Sequence, residues 1–306
     1  MTTVDPVLIP VAAAPAGRPY AHISVDRVAG ACGAVVSGVD LAAGLTDVEV
    51  AEVRRALLDH QVVFFRDQRL DPDQLVAFSH RFGPPSPVPF VQPIREHPEV
   101  IAVVREASET HGYTFGGLWH SDFSFLPAPP FASILHALEV PPYGGDTIFA
   151  SQTLAYSTLS AGMRAMLDGL TGVHSAVNAY SPKMQSVHDS FKGMTVQTDE
   201  SATQTRVHPV VRTHGETGEP ALFVNAQYTI GLHGFAPHEA KPLLDFLFAH
   251  GTRTDYTCRW QWRVGDVAMW DNRAVQHMAM ADFTGHRRSM HRTTVAGEEP
   301  LGHTER

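Results

Sequence analysis

Short apolar segments, separated by glycine, proline and polar turns, recur along most of this chain and favour a β-rich fold. The segments 22–28, 33–39 and 62–66 are the first of them. They do not alternate regularly with long helical segments, as the βαβ units of a parallel sheet require. The sequence therefore predicts a mainly β fold with flanking helices (α+β), of the sandwich or jelly-roll type. Further strands are predicted over 100–104, 133–138, 147–150, 208–214, 221–224, 254–263, 267–270 and 291–295.

Helix-start signals mark the flanking helices. Thr46 begins a capping box with glutamate three residues later, and Asp71 begins a similar motif with proline in the first turn. Two later segments show apolar residues at helical spacing. Helices are predicted over 46–60, 71–83, 154–170 and 237–250.

The chain of 306 residues shows no break in composition that would mark a second domain. We expect residues 1–20 to form a flexible N-terminal arm and residues 21–306 to form one domain. The polar segment 183–205 has no clear period, and we expect it to be a mobile loop that covers a site as a lid and is poorly ordered without ligand. Cys32 and Cys258 are too few for a disulfide scaffold or a thiolate zinc cluster, and we expect both in the core.

Charge and hydropathy limit the partners. The net charge of −9 argues against nucleic acid or an anionic membrane as the main partner. No apolar run is long enough to cross a bilayer, and the N-terminus lacks the pattern of a secretory signal. We therefore expect a cytoplasmic protein that acts on a small molecule. The 18 histidines then become the residues of most interest, because histidine is the commonest metal ligand.

His120 and Asp122 are two residues apart, so on an extended strand an imidazole and a carboxylate would point to the same side. A third ligand is needed, and His277 is the best candidate. Two histidines and one carboxylate on one face of an octahedral ion form the facial triad of non-haem Fe(II) oxygenases. The simpler alternative is a strand histidine hydrogen-bonded to a nearby aspartate.

Two arginines strengthen the oxygenase hypothesis. Arg288 and Arg292 follow His277 closely, and a guanidinium near iron can hold a carboxylate with two hydrogen bonds. A 2-oxo acid would chelate iron, supply two electrons by decarboxylation and place its far carboxylate on such an arginine. The alternatives are a solvated basic cluster, a zinc hydrolase with the same ligands, and a small-molecule binding protein without catalysis.

Taken together, these residues resemble the taurine dioxygenase-like family of Fe(II)/2-oxoglutarate-dependent dioxygenases. The resemblance covers nearly the whole chain and rests on segments 60–68, 81–83, 119–122, 144–147, 208–214, 222–225, 270–273, 277 and 291–292. It implies a double-stranded β-helix (jelly roll), Fe(II) as the metal, and 2-oxoglutarate and O2 as co-substrates. It also implies that His120, Asp122 and His277 bind iron, that Thr147 and Arg288 hold the distal carboxylate of 2-oxoglutarate, and that Arg292 serves the substrate, the co-substrate or both.

The family pattern changes where taurine would bind. Taurine-cleaving members use a histidine, a tyrosine and an asparagine there, and an ungapped comparison places Val88, Val91 and Gly116 at those positions. Because these residues cannot replace the lost hydrogen bonds, we expect an apolar or aromatic pocket with one anion-binding group. We favour an aryloxyalkanoate-like acid, and alkyl sulfates or sulfonates and a secondary-metabolite carboxylic acid are the alternatives. The predicted substrate contacts are Val88, Val91, His111, Gly116, Tyr180, Tyr228 and Arg292. The resemblance also implies a homodimer or homotetramer.

Overall fold

The computed structural model describes residues 19–303. Most of the predicted arm, residues 1–18, lies outside this range. Tyr20, at the start of the described chain, donates a hydrogen bond from its hydroxyl to Asp59 Oδ2 at 2.8 Å. Within 19–303, no helix is both long and apolar enough to cross a membrane.

The described residues form short strands with helices at the edges. The strands are β1 Ser24–Arg27, β2 Ala34–Ser37, β3 Val62–Phe65, β4 Ile101–Arg105, β5 Ala132–Glu139, β6 Thr147–Ser151, β7 Thr171–Ser175, β8 Thr205–Pro209, β9 Val211–Thr213, β10 Pro220–Leu222, β11 Thr229–Leu232, β12 Thr257–Trp260, β13 Val267–Asp271, β14 Val275–Ala279, β15 Arg288–Val295 and β16 Leu301–Gly302. The α-helices are α1 Asp47–His60, α2 Pro72–His80, α3 Gln152–Ser157, α4 Ala161–Leu167, α5 Val177–Tyr180, α6 Gln185–His188 and α7 Pro237–Gly251.

The strands build one large sheet and three small ones. The large sheet has the order β1-β2-β3-β13-β5-β15-β4, and the small sheets are β12-β6-β14, β11-β7-β8 and β10-β9-β16. In the described part of the chain, the pairing of β2 with β3 is parallel and the other strand pairings are antiparallel. The predicted fold is confirmed: the protein is mainly β with flanking helices and forms a jelly roll.

Strand β3 of the large sheet is buried on both faces. Its four residues Val62–Phe65 are all inaccessible to solvent. Alternate side chains point to opposite faces of a strand. Val63 and Phe65 pack with helices α1 and α2, whereas Val62 and Phe64 pack toward the small sheet β12-β6-β14. The ring of Phe64 stacks on Trp260 of that sheet at 3.9 Å between centroids. A core therefore lies on each side of β3.

Both predicted capping boxes are present. The Thr46 side chain accepts a hydrogen bond from the Glu49 backbone N–H, and Glu49 accepts one from the Thr46 N–H at 2.8 Å. Asp71 and Gln74 are paired in the same way at the start of α2. These short-range signals satisfy backbone donors that have no partner within the helix, which is why they fix the helix starts.

Three boundary predictions were wrong in detail. The single helix predicted over 154–170 is divided into α3 and α4, because the Thr158 hydroxyl bonds to carbonyls of the preceding turn and Ser160 caps a new helix. Segment 183–205 is not irregular throughout, since it includes α6 and a turn of 3-10 helix. In 254–263 only β12 is a strand, although the predicted alternation of buried and exposed residues is confirmed.

Candidate active site

A single β-bridge brings two distant histidines together. The His120 N–H donates to the His277 carbonyl at 3.1 Å, and the His277 N–H donates to the His120 carbonyl at 2.8 Å. His277 lies on β14, whose pairing with β6 fixes the position of His277 along the small sheet. The two imidazole rings consequently lie 4.2 Å apart between centroids.

Asp122 completes a group of three buried ligands. Its Oδ1 lies 3.5 Å from His120 Nε2 and 4.0 Å from His277 Nε2. The three ligand atoms all lie within 4.8 Å of one another. The predicted arrangement is thus present, but the expected extended strand is not, because the chain turns just after the bridge and Phe123 adopts a φ of 48°. The turn, rather than strand alternation, points Asp122 at the histidines.

The protonation states suit a divalent cation. His120 Nδ1 lies 2.7 Å from the Leu118 carbonyl, which only accepts, so Nδ1 carries the proton and Nε2 is free to bind metal. Burial and the neighbouring His120 lower the pKa of His277 to about 3, so its ring is neutral. Burial raises the pKa of Asp122, but the positive charge of Arg292 outweighs this effect and holds that pKa well below its usual range. Neutral imidazoles and an ionised carboxylate are the forms that bind metals.

The arginine cavity, named for Arg288 in its wall, opens on one side of the three ligands. It is lined by Val103, Phe115, Gly116, His120, Leu135, Thr147, Trp270, His277, Ala279, Arg288 and Arg292. Arg288 is buried, and its Nε and Nη2 have no hydrogen-bond partner within residues 19–303. The Thr147 hydroxyl accepts a hydrogen bond from Trp262 Nε1 at 3.0 Å, which leaves its own proton to donate. These donors fit the distal carboxylate of 2-oxoglutarate, because a buried guanidinium without an anion is unstable.

Arg292 lies between this cavity and a second one. Its Nη1 donates to Asp122 Oδ1 at 3.1 Å, whereas Nε and Nη2 are buried without a partner in the described chain. Its guanidinium carbon is 5.1 Å from the centre of the Phe123 ring. Arg288 and Arg292 are four residues apart on β15 and therefore face the same side, whereas His291 points away from both cavities, as expected.

The second cavity, the tyrosine cavity, is mainly aromatic. It is lined by Tyr113, Phe115, Gly116, His120, Asp122, Phe123, Ala179, Tyr180, His188, Gln227, Tyr228 and Arg292. Burial raises the pKa of Tyr180 to about 12, and burial and the neighbouring Tyr180 raise the pKa of Tyr228 well above its usual value. Both hydroxyls therefore stay protonated. The cavity combines apolar rings, neutral hydroxyls and one guanidinium beside the three ligands.

The structure brings together most of the predicted substrate contacts and leaves three outside. Gly116, Tyr180, Tyr228 and Arg292 line the tyrosine cavity, whereas Val88, Val91 and His111 line neither cavity. Val91 is buried and forms a β-bridge with Val196. His111 Nε2 lies 3.2 Å from the Ser190 hydroxyl.

Several cavity residues were missed by sequence reasoning. Tyr113, Phe115, His188 and Gln227 all lie in irregular segments or short helices that contain no metal-binding pattern. Gln227 directly precedes Tyr228, a predicted substrate contact, and this neighbourhood was the signal in the sequence that could have identified Gln227. His188 lies in the segment 183–205 that was predicted to cover a site, and the structure places it in the wall of the tyrosine cavity.

Comparisons with known proteins agree with this geometry. The family model described as "Taurine catabolism dioxygenase TauD, TfdA family" matches residues 24–294. The chain is 35% identical over 292 residues to an alpha-ketoglutarate-dependent sulfate ester dioxygenase of Pseudomonas putida, covering 95% of each chain. It is 32% identical over 280 residues to an alpha-ketoglutarate-dependent 2,4-dichlorophenoxyacetate dioxygenase of Cupriavidus pinatubonensis, covering 85% of this chain and 93% of that one.

A solved structure extends the agreement to the fold. A crystal structure described as a taurine dioxygenase from Burkholderia xenovorans superposes with a TM-score of 0.77 at 38% identity, covering 92% of this chain and 93% of that one. The predictions of an enzyme, of its class and of its cofactors are confirmed, and the zinc hydrolase and the binding protein are set aside. The chain belongs to the TauD/TfdA family of non-haem Fe(II)- and 2-oxoglutarate-dependent dioxygenases, which use O2 as the second co-substrate.

Proposed function

We propose that this dioxygenase oxidises a C–H bond of a small anion with an apolar, preferably aromatic, body. One observation carries the proposal: the guanidinium of Arg292 has two nitrogen atoms without a partner among residues 19–303 and lies beside the three ligands, in a cavity walled by aromatic rings. Arg292 Nη1 already pairs with Asp122, but buried donors without a partner are costly, so a negatively charged substrate group would satisfy the two remaining nitrogen atoms. The rings would accommodate the remainder of the molecule.

The residue roles follow from the two cavities. His120, Asp122 and His277 would hold Fe(II), while Thr147 and Arg288 would hold the distal carboxylate of 2-oxoglutarate in the arginine cavity. When bound, Fe(II), 2-oxoglutarate and O2 supply the oxidising power, and the oxo acid leaves as succinate and carbon dioxide. The protein positions these groups and excludes water from them.

On the substrate side, the chain orients the anion and excludes water. Arg292 already donates to Asp122 Oδ1, so an anion bound by its remaining donors would lie close to the metal ligands. Phe115 and Phe123 cover the same region with rings, and the two tyrosine hydroxyls remain neutral. A dry, pre-arranged site keeps a reactive oxidant from attacking the protein and solvent.

The lining favours an aryloxyalkanoate-like acid among the substrate classes. Phe115, Phe123, Tyr113, Tyr180 and Tyr228 give an aromatic surface suited to a ring, and an offset or edge-to-face contact stabilises such a ring by about 0.5–1.5 kcal/mol. Hydroxylation of the carbon beside the ether oxygen would release a phenol and an oxo acid. The activity named for the Cupriavidus pinatubonensis relative supports this class.

Alkyl sulfates are the second candidate, because the Pseudomonas putida relative is named as a sulfate ester dioxygenase. A sulfate monoester offers Arg292 the same single negative charge as a carboxylate. Taurine is the least favoured, because a zwitterion needs a partner for its ammonium. Among the residues that line the tyrosine cavity, Asp122 is the one carboxylate that could pair with this ammonium, and it already pairs with Arg292.

The test is succinate formation from 2-oxoglutarate with Fe(II) and O2. The panel is taurine, medium-chain alkyl sulfates, aryloxyacetates and both enantiomers of aryloxypropionates, with His277→Ala as the inactive control. We expect strong stimulation by an aryloxy acid, with taurine inert. Stimulation by alkyl sulfates alone would establish the second candidate. Preferred turnover of taurine would refute the aromatic-anion proposal while leaving the enzyme class unchanged.

A further inference from the structure

We propose that Ser133 and Asn272 form a clamp that makes Asp122 a one-oxygen metal ligand. The proposal rests on the assignment of Asp122 as an iron ligand above. The Ser133–Asn272 clamp consists of one hydroxyl and one amide behind the carboxylate, and it is fully buried. Neither residue lines either cavity.

The two oxygens of Asp122 have different surroundings. Oδ1 faces His120 Nε2 and His277 Nε2, at 3.5 and 4.0 Å. Oδ2 instead accepts a hydrogen bond of 2.6 Å from the Ser133 hydroxyl. A carboxylate whose second oxygen is engaged in this way presents one oxygen to a metal, which leaves more coordination positions open for co-substrates.

Asn272 fixes the direction of the serine proton. Its Nδ2 donates to Ser133 Oγ at 3.0 Å, and an amide nitrogen cannot accept, so the serine must use its only proton on Asp122. The side-chain amide of Asn272 cannot be flipped, with oxygen and nitrogen exchanged, because Oδ1 accepts hydrogen bonds from the Trp270 indole at 3.0 Å and from the Asp122 backbone N–H at 3.2 Å. The donors thus run in one sequence from Trp270 through Asn272 and Ser133 to Asp122.

The clamp residues are fixed by the pairing of strands in the large sheet. Ser133 lies near the start of β5, between Trp270 of β13 and Thr294 of β15, and Asn272 follows β13 directly. The large sheet therefore holds a ligand that belongs to the turn after the His120 bridge. This connection explains how a carboxylate outside any strand keeps its position, and it makes Ser133 and Asn272 positioning residues.

The experiment measures metal affinity rather than turnover. Co(II) is titrated by calorimetry into metal-free parent, Ser133→Ala and the nearly isosteric Asn272→Asp, and its visible absorption spectrum reports the coordination. Ser175→Ala is the matched control, because Ser175 is equally buried and donates to the Ala202 carbonyl at 2.9 Å. Each variant is also melted thermally, which separates loss of fold from loss of position.

We expect the dissociation constant of Co(II) to rise about 10–100-fold in Ser133→Ala, as for other residues that orient metal ligands, and the absorption spectrum to change. Asn272→Asp should show at least the same loss, because a carboxylate would accept the serine proton and take it from Asp122. Ser175→Ala should bind Co(II) like the parent.

The clamp would be overturned if both Ser133→Ala and Asn272→Asp bound Co(II) with the affinity and the absorption spectrum of the parent. If Ser133→Ala fails to fold, the result for Asn272→Asp alone decides. Absence of Co(II) binding by the parent, or its persistence in His277→Ala, would instead refute the metal site on which the clamp depends. The two failures are therefore distinguishable.

Discussion

Replacing Arg288 by methionine should stabilise the ligand-free protein and abolish its tight binding of 2-oxoglutarate. Arg288 is 6% exposed, and two of its nitrogen atoms have no partner within residues 19–303. Burial lowers its pKa from 12.5 to about 10. Because the folded state binds the proton less tightly than the unfolded state, the charge destabilises the fold at neutral pH, and this penalty disappears only as pH rises from 10 to 12.5.

The magnitude follows from that shift. At 1.36 kcal/mol per pKa unit, the buried charge lowers the free energy of unfolding by about 3 kcal/mol. Methionine has a similar length and no charge, so the metal-free Arg288→Met protein should melt several degrees above the parent in calorimetry. The loss of a buried charged pair with the carboxylate costs about 2–5 kcal/mol, which corresponds to about 30- to 4,000-fold weaker binding of 2-oxoglutarate.

The assay is a pair of measurements on each protein: melting without ligand, and titration with 2-oxoglutarate in the presence of Co(II). Arg287→Met is the matched control, because Arg287 lies on the surface and pairs with Glu106 and Glu139. It should leave 2-oxoglutarate binding unchanged and should not raise the melting temperature. An Arg288→Met protein that melts lower than the parent, or that binds 2-oxoglutarate within about threefold of it, would refute the reasoning.

Four further outcomes are expected. Arg292→Gln should lower kcat/KM for the preferred anion at least 30-fold, given about 2–5 kcal/mol for a buried charge pair, and an unchanged value would exclude anion binding there. Co(II) at 100 times its dissociation constant should add about 2.7 kcal/mol of stability, and a similar gain in His277→Ala would contradict the ligand set. Burial lowers the pKa of His174 to about 3, so its contribution to stability is complete above pH 6.5 and is lost progressively below it. His174→Gln should therefore flatten the acid side of the denaturation profile by about 1.4 kcal/mol per pH unit, and an unchanged slope would count against a neutral His174. Cys32 and Cys258 are buried with their sulfur atoms 3.5 Å apart, so neither should react with iodoacetamide before unfolding, and labelling at the rate of a free thiol would contradict that burial.

The three residues proposed to bind metal could be found in the sequence because their signal is local and chemical. His120 and Asp122 form a recognisable pair, and the third histidine stands among motifs of the same family. The geometric reason given for the pair was wrong, however, because Asp122 lies in a turn rather than on a strand. Its Oδ2 accepts a hydrogen bond from the hydroxyl of Ser133, whose proximity follows from the pairing of distant strands and has no local pattern.

The tyrosine cavity could be predicted only in part, for the same physical reason. Tyr180 and Tyr228 were identified, whereas Val88 and Val91 pack outside both cavities. Residues around 88–91 lie in an irregular segment, where one residue of slip changes every side-chain position, and no periodicity corrects the error. His188 was within the correct segment, but nothing in a polar loop indicates which side chain turns inward.

The order of strands in the large sheet also limits when β5 can pair during synthesis. Strand β5 lies between β13 and β15, so it has no native partner in the sheet until β13, Val267–Asp271, has been made. His277 and both cavity arginines arrive in the same late portion. The candidate site can therefore assemble only after these late segments have been made, and until then β5 is an apolar strand without its native neighbours, which favours aggregation.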